Sequence, residues 1–114
     1  MSKRIQRVNQ LLKREVSQLL LKEIEPPKDT LITVTRAETT SDLRVSRIFI
    51  SIIPEESREK VIKFLNRKIY YLQQKINKRL RMKPVPKIIF MEEEKTKTAA
   101  RIEKILEELK NEKK

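Results

Sequence analysis

Five prolines punctuate a chain of 114 residues that contains no glycine at all. Proline cannot donate the backbone hydrogen bond that a continuing helix or central strand needs, so elements are expected to end at these positions. Pro26 and Pro27 close the first segment, Pro54 closes the second, and Pro84 with Pro86 closes the third. Tight primed turns and nucleotide-binding glycine loops both depend on glycine. Longer polar connections are therefore predicted, and a glycine-loop nucleotide site is excluded.

The first two segments differ in their apolar period. Residues 2–25 repeat apolar side chains in steps of three and four behind Ser2, which predicts an amphipathic helix with Ser2 as its N-cap. Residues 31–38 and 43–53 are rich in β-branched side chains and are separated by the polar stretch TTSD. This pattern predicts an antiparallel pair of strands, with Ser41 and Asp42 turning the chain by bonding their own backbone.

The third segment predicts a long helix. Its apolar residues follow one another in steps of four, three, four and four: Leu65, Ile69, Leu72, Ile76 and Leu80. The period is unbroken through residues 68–70, so we expect a helix without a sharp kink that ends near Met82. After the prolines, KIIFM predicts a short strand, and residues 96–114 predict a last helix.

A helix that joins two strands of one sheet usually makes a right-handed crossover and leaves those strands parallel. The order helix, strand, strand, helix, strand, helix therefore predicts an α+β fold with a three-stranded mixed sheet. The first helix and the long helix are expected to cover the same face of that sheet. One domain is predicted over residues 1–110, followed by a flexible charged tail at residues 111–114.

The charge of the chain is large and unevenly distributed. Its formal net charge is +12, yet the residues from Glu92 onwards hold seven acids and seven bases, so the whole surplus precedes Glu92. Residues 60–91 contain ten Lys and Arg and no acid. Such a surplus favours a polyanionic partner, either nucleic acid or an anionic membrane surface, over a role in solubility alone.

The chain has no cysteine and no histidine, which removes whole classes of function. Disulfides, thiolate and Ser-His catalysis and the commonest metal ligands are excluded, so neither an enzyme nor a metal or cofactor site is expected. No apolar run approaches the roughly 20 residues of a membrane span. The first ten residues lack the apolar core of a signal peptide, and a cytosolic location is expected.

A helical wheel separates the basic residues of the long helix from its apolar stripe. Lys60, Lys63, Arg67, Lys78 and Arg81 fall on the outward face. Lys68, Lys75 and Arg79 fall on one shoulder, where their stems can lie along the core edge. A merely solvated helix normally carries Glu at four-residue spacing, and this run does not, so phosphate contact is predicted. The first helix could extend the surface with Lys3, Arg4, Arg7, Lys13 and Arg14.

The aromatic residues leave two alternatives open. Tyr70 and Tyr71 both lie off the apolar stripe, where each could either stack on an RNA base or pack against a neighbouring element. Phe49, Phe64 and Phe90 are predicted to belong to the core. No strand carries an aromatic pair at the spacing of an RNA-recognition sheet, so that module is disfavoured.

Three stretches resemble the ribosome-binding factor A family over nearly the whole chain: RVNQLLKREVSQLL, ITVTRAETTSDLRVSRIFISII and INKRLRMKPVPKIIFMEEE. The resemblance implies a type II KH-like fold without catalytic activity, cofactor or small-molecule substrate. It also implies a cytoplasmic protein that binds small-subunit ribosomal RNA and assists late subunit maturation, including processing of the precursor's 5′ end, with cold adaptation as a theme. The family usually bends its long helix at an Ala and a Gly, and neither residue is present at the matching residues 68–70.

The family's RNA-binding surface carries over to a set of basic positions in this sequence. They are Arg67, Lys68, Lys75, Lys78, Arg79 and Arg81, to which the charge pattern adds Lys63, Arg4 and Arg7. The competing hypothesis is a basic protein-interaction or scaffold module whose basic face meets an acidic protein. A steep salt dependence of RNA binding would separate the two, and a monomer is expected.

Overall fold

The elements follow the predicted order along the chain. The computed structural model describes residues 2–93 together with residues 105 and 109. The elements are α1 (Lys3–Lys22), β1 (Leu31–Thr39), β2 (Val45–Ile53), α2 (Arg58–Arg79) and β3 (Lys87–Glu92), with a 3-10 turn (Glu55–Ser57) before α2. The Ser2 hydroxyl caps α1, as predicted, by accepting a hydrogen bond from the Ile5 N–H at 3.2 Å. Apart from residues 105 and 109, the predicted last helix and the tail lie outside the described residues.

The three strands form the predicted mixed sheet, in the order β1-β2-β3. The central strand β2 pairs antiparallel with β1 and parallel with β3. The parallel pairing follows from the α2 crossover, which carries the chain from one end of the sheet back to the other. The α+β class expected from the sequence is confirmed.

Both helices lie on one face of this sheet and share a single core. The buried side chains come from α1, from α2 and from the helix-facing side of the strands, where Ile48, Ile50 and Ile88 are at most 1% exposed. The helices run in opposite directions, because Glu15 of α1 contacts the end of α2 while Glu23, two turns later, contacts an earlier turn. The start of α1 therefore lies towards the end of α2.

The connection between β1 and β2 makes its turn without glycine. Leu43 takes up a left-handed conformation, with φ of 60°, at a cost on the order of 1 kcal/mol for a residue with a side chain. Packing of its side chain against the core offsets this cost. The Asp42 carboxylate accepts a hydrogen bond from the Arg44 N–H at 3.1 Å, as predicted. Within residues 40–45, Thr40 rather than Ser41 makes the other bonds of this turn.

The long helix α2 is uninterrupted through residues 68–71, as the apolar period predicted. Its predicted end near Met82 is wrong: α2 ends at Arg79, and Leu80 is extended at φ −89° and ψ 137°. In a continuing helix Pro84 could not donate a hydrogen bond to the Leu80 carbonyl and its ring would clash with that carbonyl, while Lys83, directly before the proline, favours extended backbone. Arg81 consequently lies in the connection to β3, so the helical wheel does not predict where its side chain points.

Phe49 is buried on the face of the sheet opposite α1 and α2. Phe64 and Phe90 belong to or pack against the core, as predicted, but Phe49 lies outside that cluster although it is only 9% exposed. The strand register shifts between Val34 and Arg36, so that Arg36 lies opposite Phe49. The Arg36 guanidinium then covers the ring at 3.7 Å from its centroid. Phe49 is therefore buried, as predicted, but it is covered by Arg36, which the bulge in β1 brings over the ring, and not by the helices.

Candidate nucleic-acid interface

Four basic residues of α2 form a row that points away from the core. This outer ridge consists of Lys60, Lys63, Arg67 and Lys78, and all four side chains are exposed. At 1.5 Å rise per residue, the ridge is roughly 27 Å long. Among residues 2–93, no acid lies within salt-bridge distance of any of the four. Within this part of the chain, the ridge therefore presents uncompensated positive charge over a length that can follow several phosphates.

The first half of the outer ridge borders a shallow depression. Lys60, Lys63 and Arg67 line it together with Asn66, whose amide offers both donors and an acceptor. Asn66 was not predicted from the sequence to be a contact residue, because it carries no charge. The signal that could have found it is its spacing of three residues from Lys63, which puts both on one side of the helix. The depression combines cationic donors with a neutral amide, a mixture that suits phosphate and sugar oxygens.

Two of the predicted contact residues lie on the shoulder of α2 that faces α1. Arg79 donates a hydrogen bond to the Glu15 carboxylate at 3.1 Å, and the Lys75 ammonium lies 3.8 Å from Glu23. Glu15 of α1 and Glu23, the C-cap residue of α1, therefore both face α2, which the sequence could not reveal. Lys68 belongs to the same shoulder but is exposed and has no ion pair to a described acid. The shoulder thus contains two cations that join the helices and one that does not.

Tyr71 completes the contact between the helices. Its hydroxyl donates a hydrogen bond to the Glu23 carboxylate at 2.7 Å, and the Lys75 ammonium lies 5.5 Å from the ring centroid. The hydrogen bond from Tyr71, followed by the charge of Lys75, lowers the pKa of Glu23 below its ordinary value. The same bond raises the pKa of Tyr71. Of the two alternatives for this tyrosine, the structure favours packing between elements.

The contacts of Glu23 predict a pH dependence of stability. Because the folded-state pKa of Glu23 is lowered, its charge stabilises the protein above the unfolded pKa, and this contribution is lost as pH falls through the folded pKa. We expect Glu23→Gln to lower the urea midpoint at pH 7 and to leave it nearly unchanged near pH 2. Glu25→Gln is the matched control, since Glu25 is exposed and has no ion pair to a described residue. An equal midpoint for wild type and Glu23→Gln at pH 7 would contradict this account.

A glutamine fixes α2 to the start of β3 and so sets the direction of the outer ridge. The Gln73 side chain accepts a hydrogen bond from the Ile88 N–H at 2.8 Å and donates one to the Pro86 carbonyl at 3.1 Å. On the core side, Leu65 and Leu72 are fully buried. These contacts prevent α2 from rotating about its axis, so the ridge is held outward by both polar and apolar contacts.

The remaining predicted contacts lie towards the end of α2. Arg81 is exposed in the connection that follows the helix, and Arg4 and Arg7 are exposed on the first two turns of α1. Because α1 and α2 run in opposite directions, these three side chains lie towards the same end of the molecule as Lys78. The structure thus places the predicted basic residues in three groups: the outer ridge, the shoulder and this end.

A second polar cluster lies on the face of the sheet opposite α1 and α2. The Glu93 carboxylate accepts hydrogen bonds from Arg36 at 2.9 and 3.1 Å and from the Thr35 hydroxyl at 2.5 Å. The Glu93 side chain therefore reaches across β2 to β1. The bonds to Glu93 raise the pKa of Arg36. The sequence did not predict this cluster, because it depends on the bulge in β1 and on a carboxylate 57 residues away from Arg36.

The residues that the structure describes contain no group of three or more acidic side chains arranged to hold a metal ion. None of the helices described is both long enough and apolar enough to cross a membrane.

The family model and the relatives that match this sequence all carry the same family name. The family model for Ribosome-binding factor A matches residues 4–106. Ribosome-binding factor A of Thermodesulfovibrio yellowstonii is 38% identical over 95% of this chain and 92% of its own length. The corresponding protein of Halothermothrix orenii is 31% identical over 96% of this chain and 90% of its own.

Two solved structures of similar proteins have the same fold as this chain. The crystal structure of ribosome-binding factor A from Thermus thermophilus superposes with a TM-score of 0.67 at 23% identity, covering 77% of this chain and 94% of that one. A solution NMR structure of a putative ribosome binding factor A from Thermotoga maritima gives 0.59 at 27% identity, covering 78% and 90%. The KH-like fold implied by the sequence resemblance is confirmed.

Proposed function

Because this chain belongs to the ribosome-binding factor A family, we propose that it binds the small ribosomal subunit through its ribosomal RNA. It does so as a monomer in the cytoplasm and assists late maturation of the subunit, including processing of the 5′ end of the precursor RNA. A homology model of the Thermus thermophilus protein, fitted into the cryo-EM map of its 30S complex, superposes on this chain with a TM-score of 0.61 at 24% identity, covering 73% of this chain and 88% of that one. That likeness in fold supports the same kind of partner here.

The observation that carries the proposal is the outer ridge. Lys60, Lys63, Arg67 and Lys78 are exposed without acidic partners among the described residues. By contrast, Glu15 of α1 and its C-cap residue Glu23 face the shoulder of α2. Ion pairs with α1 thus join the helices and leave the ridge cations available. Lysine and arginine arranged in this way bind RNA mainly through phosphate oxygens.

The predicted contacts differ in role under this proposal. Lys63, Arg67, Lys78 and the neighbouring Lys60 supply the principal phosphate contacts. Lys68, Arg81, Arg4 and Arg7 extend the surface at its edges. Lys75 and Arg79 hold α1 against α2, so their substitution is expected to affect stability before RNA affinity. The family is named for ribosome binding rather than for a reaction, and no catalytic role is assigned to any residue.

Salt dependence tests the electrostatic part of the proposal. If the four ridge cations each replace one counterion, the logarithm of RNA affinity should fall with the logarithm of salt concentration at a slope of about −3 to −3.5. Fluorescence anisotropy with a labelled fragment of small-subunit ribosomal RNA, between about 50 and 300 mM salt, measures the slope. A slope near zero would show that phosphate contacts do not carry the binding.

Co-sedimentation tests the partner. The protein is expected to pellet with free small subunits and to do so less with complete ribosomes, since a factor that acts during maturation must leave the finished particle. Large subunits serve as the control for general affinity to ribosomal RNA. If small and large subunits bind equally, the ridge is a general polyanion site; if neither binds, the basic face serves a protein partner and the proposal fails.

A further inference from the structure

The two adjacent tyrosines of α2 have different surroundings. Tyr71 is bonded to Glu23 and lies against Lys75, and its place between the helices accounts for it. Tyr70 is 75% exposed and has no hydrogen bond to any described residue. Neither the core nor the contact between α1 and α2 uses the Tyr70 ring. Packing, the structural alternative for an aromatic residue on this helix, therefore applies to Tyr71 and not to Tyr70.

Tyr70 lies on α2 between two residues of the outer ridge, Arg67 and Lys78. Asn66 and Arg67 precede it by four and three residues, so their Cβ atoms are roughly 5 to 6 Å from that of Tyr70 along the same side of the helix. Both residues line the depression that Lys60 and Lys63 complete. The flat ring thus stands directly beside a group of phosphate-binding side chains, on the side towards the end of the helix.

A single exposed aromatic residue is ordinary on a protein surface. The combination here is more specific, because proteins that bind single-stranded nucleic acid pair a basic groove for the backbone with aromatic rings on which bases stack. A duplex offers phosphates to the ridge but keeps its base faces stacked inside the helix, so it cannot use the ring. An unpaired strand can present phosphate and base to neighbouring residues at once.

Resting on the proposed function, we propose that Tyr70 is a stacking platform for an unpaired base of the bound RNA. The phosphates of the same strand lie against Lys63 and Arg67, and the Asn66 amide contacts the intervening sugar or phosphate oxygens. The ligand of the outer ridge is accordingly a single-stranded segment rather than a helical stem.

Binding of two RNA probes to the full chain tests this inference. One probe is a purine-containing single strand, and the other is the same strand annealed to its complement. Tyr70→Ala is expected to weaken binding of the single strand by roughly 5- to 150-fold, the usual effect of losing one base–aromatic contact. It should leave duplex binding and the salt slope unchanged, because a stacked ring releases no counterion. Tyr70→Phe keeps the ring and should bind like wild type.

Tyrosine fluorescence supplies a direct readout. The chain has two tyrosines and no tryptophan, so Tyr71→Phe leaves Tyr70 as the only strong fluorophore. This variant also serves as a control, since it loses the bond to Glu23 and should lose stability without losing RNA affinity. Quenching of its fluorescence by the single strand, but not by the duplex, is the expected result.

The outcomes separate this inference from the proposed function. If Tyr70→Ala binds both probes like wild type, or if the duplex binds more tightly than the single strand, the stacking role is overturned while the electrostatic ridge stands. If wild type binds neither probe nor small subunits, the proposed function itself fails. Circular dichroism of each variant verifies that α2 remains folded.

Discussion

The variant Lys63→Glu with Arg67→Glu is expected to bind small ribosomal subunits at least about 100-fold more weakly than wild type. Hydrogen bonds to charged groups contribute roughly 1.5 to 3 kcal/mol each, so losing two removes about 3 kcal/mol or more. At about 1.4 kcal/mol per tenfold change, this corresponds to the stated factor. Repulsion between the new carboxylates and phosphate adds to the loss. Quantitative co-sedimentation over a range of subunit concentrations measures it.

The control for this prediction must change the net charge equally at another place. Lys28→Glu with Lys87→Glu does so, because both side chains are exposed and neither belongs to α2. Lys28 lies in the loop before β1, and Lys87 begins β3. We expect this variant to lose much less than tenfold in affinity. Equal losses in the two variants would show that total charge, and not the ridge, determines binding.

A core substitution in α2 is expected to give the largest loss of stability. Leu72 is fully buried in the core, and Leu→Ala at such positions costs roughly 2 to 5 kcal/mol. Domains of this size are stable by only about 5 to 15 kcal/mol, so Leu72→Ala removes a substantial part of the total. Urea denaturation followed by circular dichroism measures the free energy of unfolding.

Leu21 provides the matched control for the core prediction. It is also a leucine inside a helix, but its side chain is 82% exposed. Leu21→Ala is therefore expected to change the free energy of unfolding by less than about 0.5 kcal/mol. Leu72 has no exposed surface and cannot contact RNA. Its substitution should therefore lower the apparent RNA affinity only by unfolding a fraction of the protein. A large loss of affinity in fully folded Leu72→Ala would mean that the ridge moves when the core is loosened.

The apolar period correctly predicted which face of α2 packs against the core. Leu65, Leu72 and Ile76 repeat at helical spacing, and all three are fully buried. The period works because one face of an amphipathic helix must be removed from water, and the basic residues are then left on the opposite face. The outer ridge was therefore predictable from the sequence alone. The mixed sheet was also predictable, because a right-handed helical crossover leaves the two strands that it connects parallel.

The partners of the basic residues were not predictable. Arg79 meets Glu15 across 64 residues of sequence, and a helical wheel shows only the angle of a residue, not which element faces it. The end of α2 was misplaced for another reason: the period continues to Leu80, whose side chain stays buried after the backbone has left the helix. The stacking of Arg36 on Phe49 was not predictable either, because it depends on a bulge in β1 that no residue pattern indicated.

The opposed directions of α1 and α2 also polarise the molecule. One end combines the basic start of α1 with the basic end of α2, including Lys3, Arg4, Arg7 and Lys78. The other end holds Glu25 and the acidic turn that precedes α2, with Glu55 and Glu56. Among residues 2–93, the charges are therefore distributed unevenly along the helices, and this adds a dipole moment along them to the net charge. During diffusional encounter, a polyanion exerts a torque on such a molecule and turns its basic end forward, so association is accelerated at low ionic strength before any contact has formed.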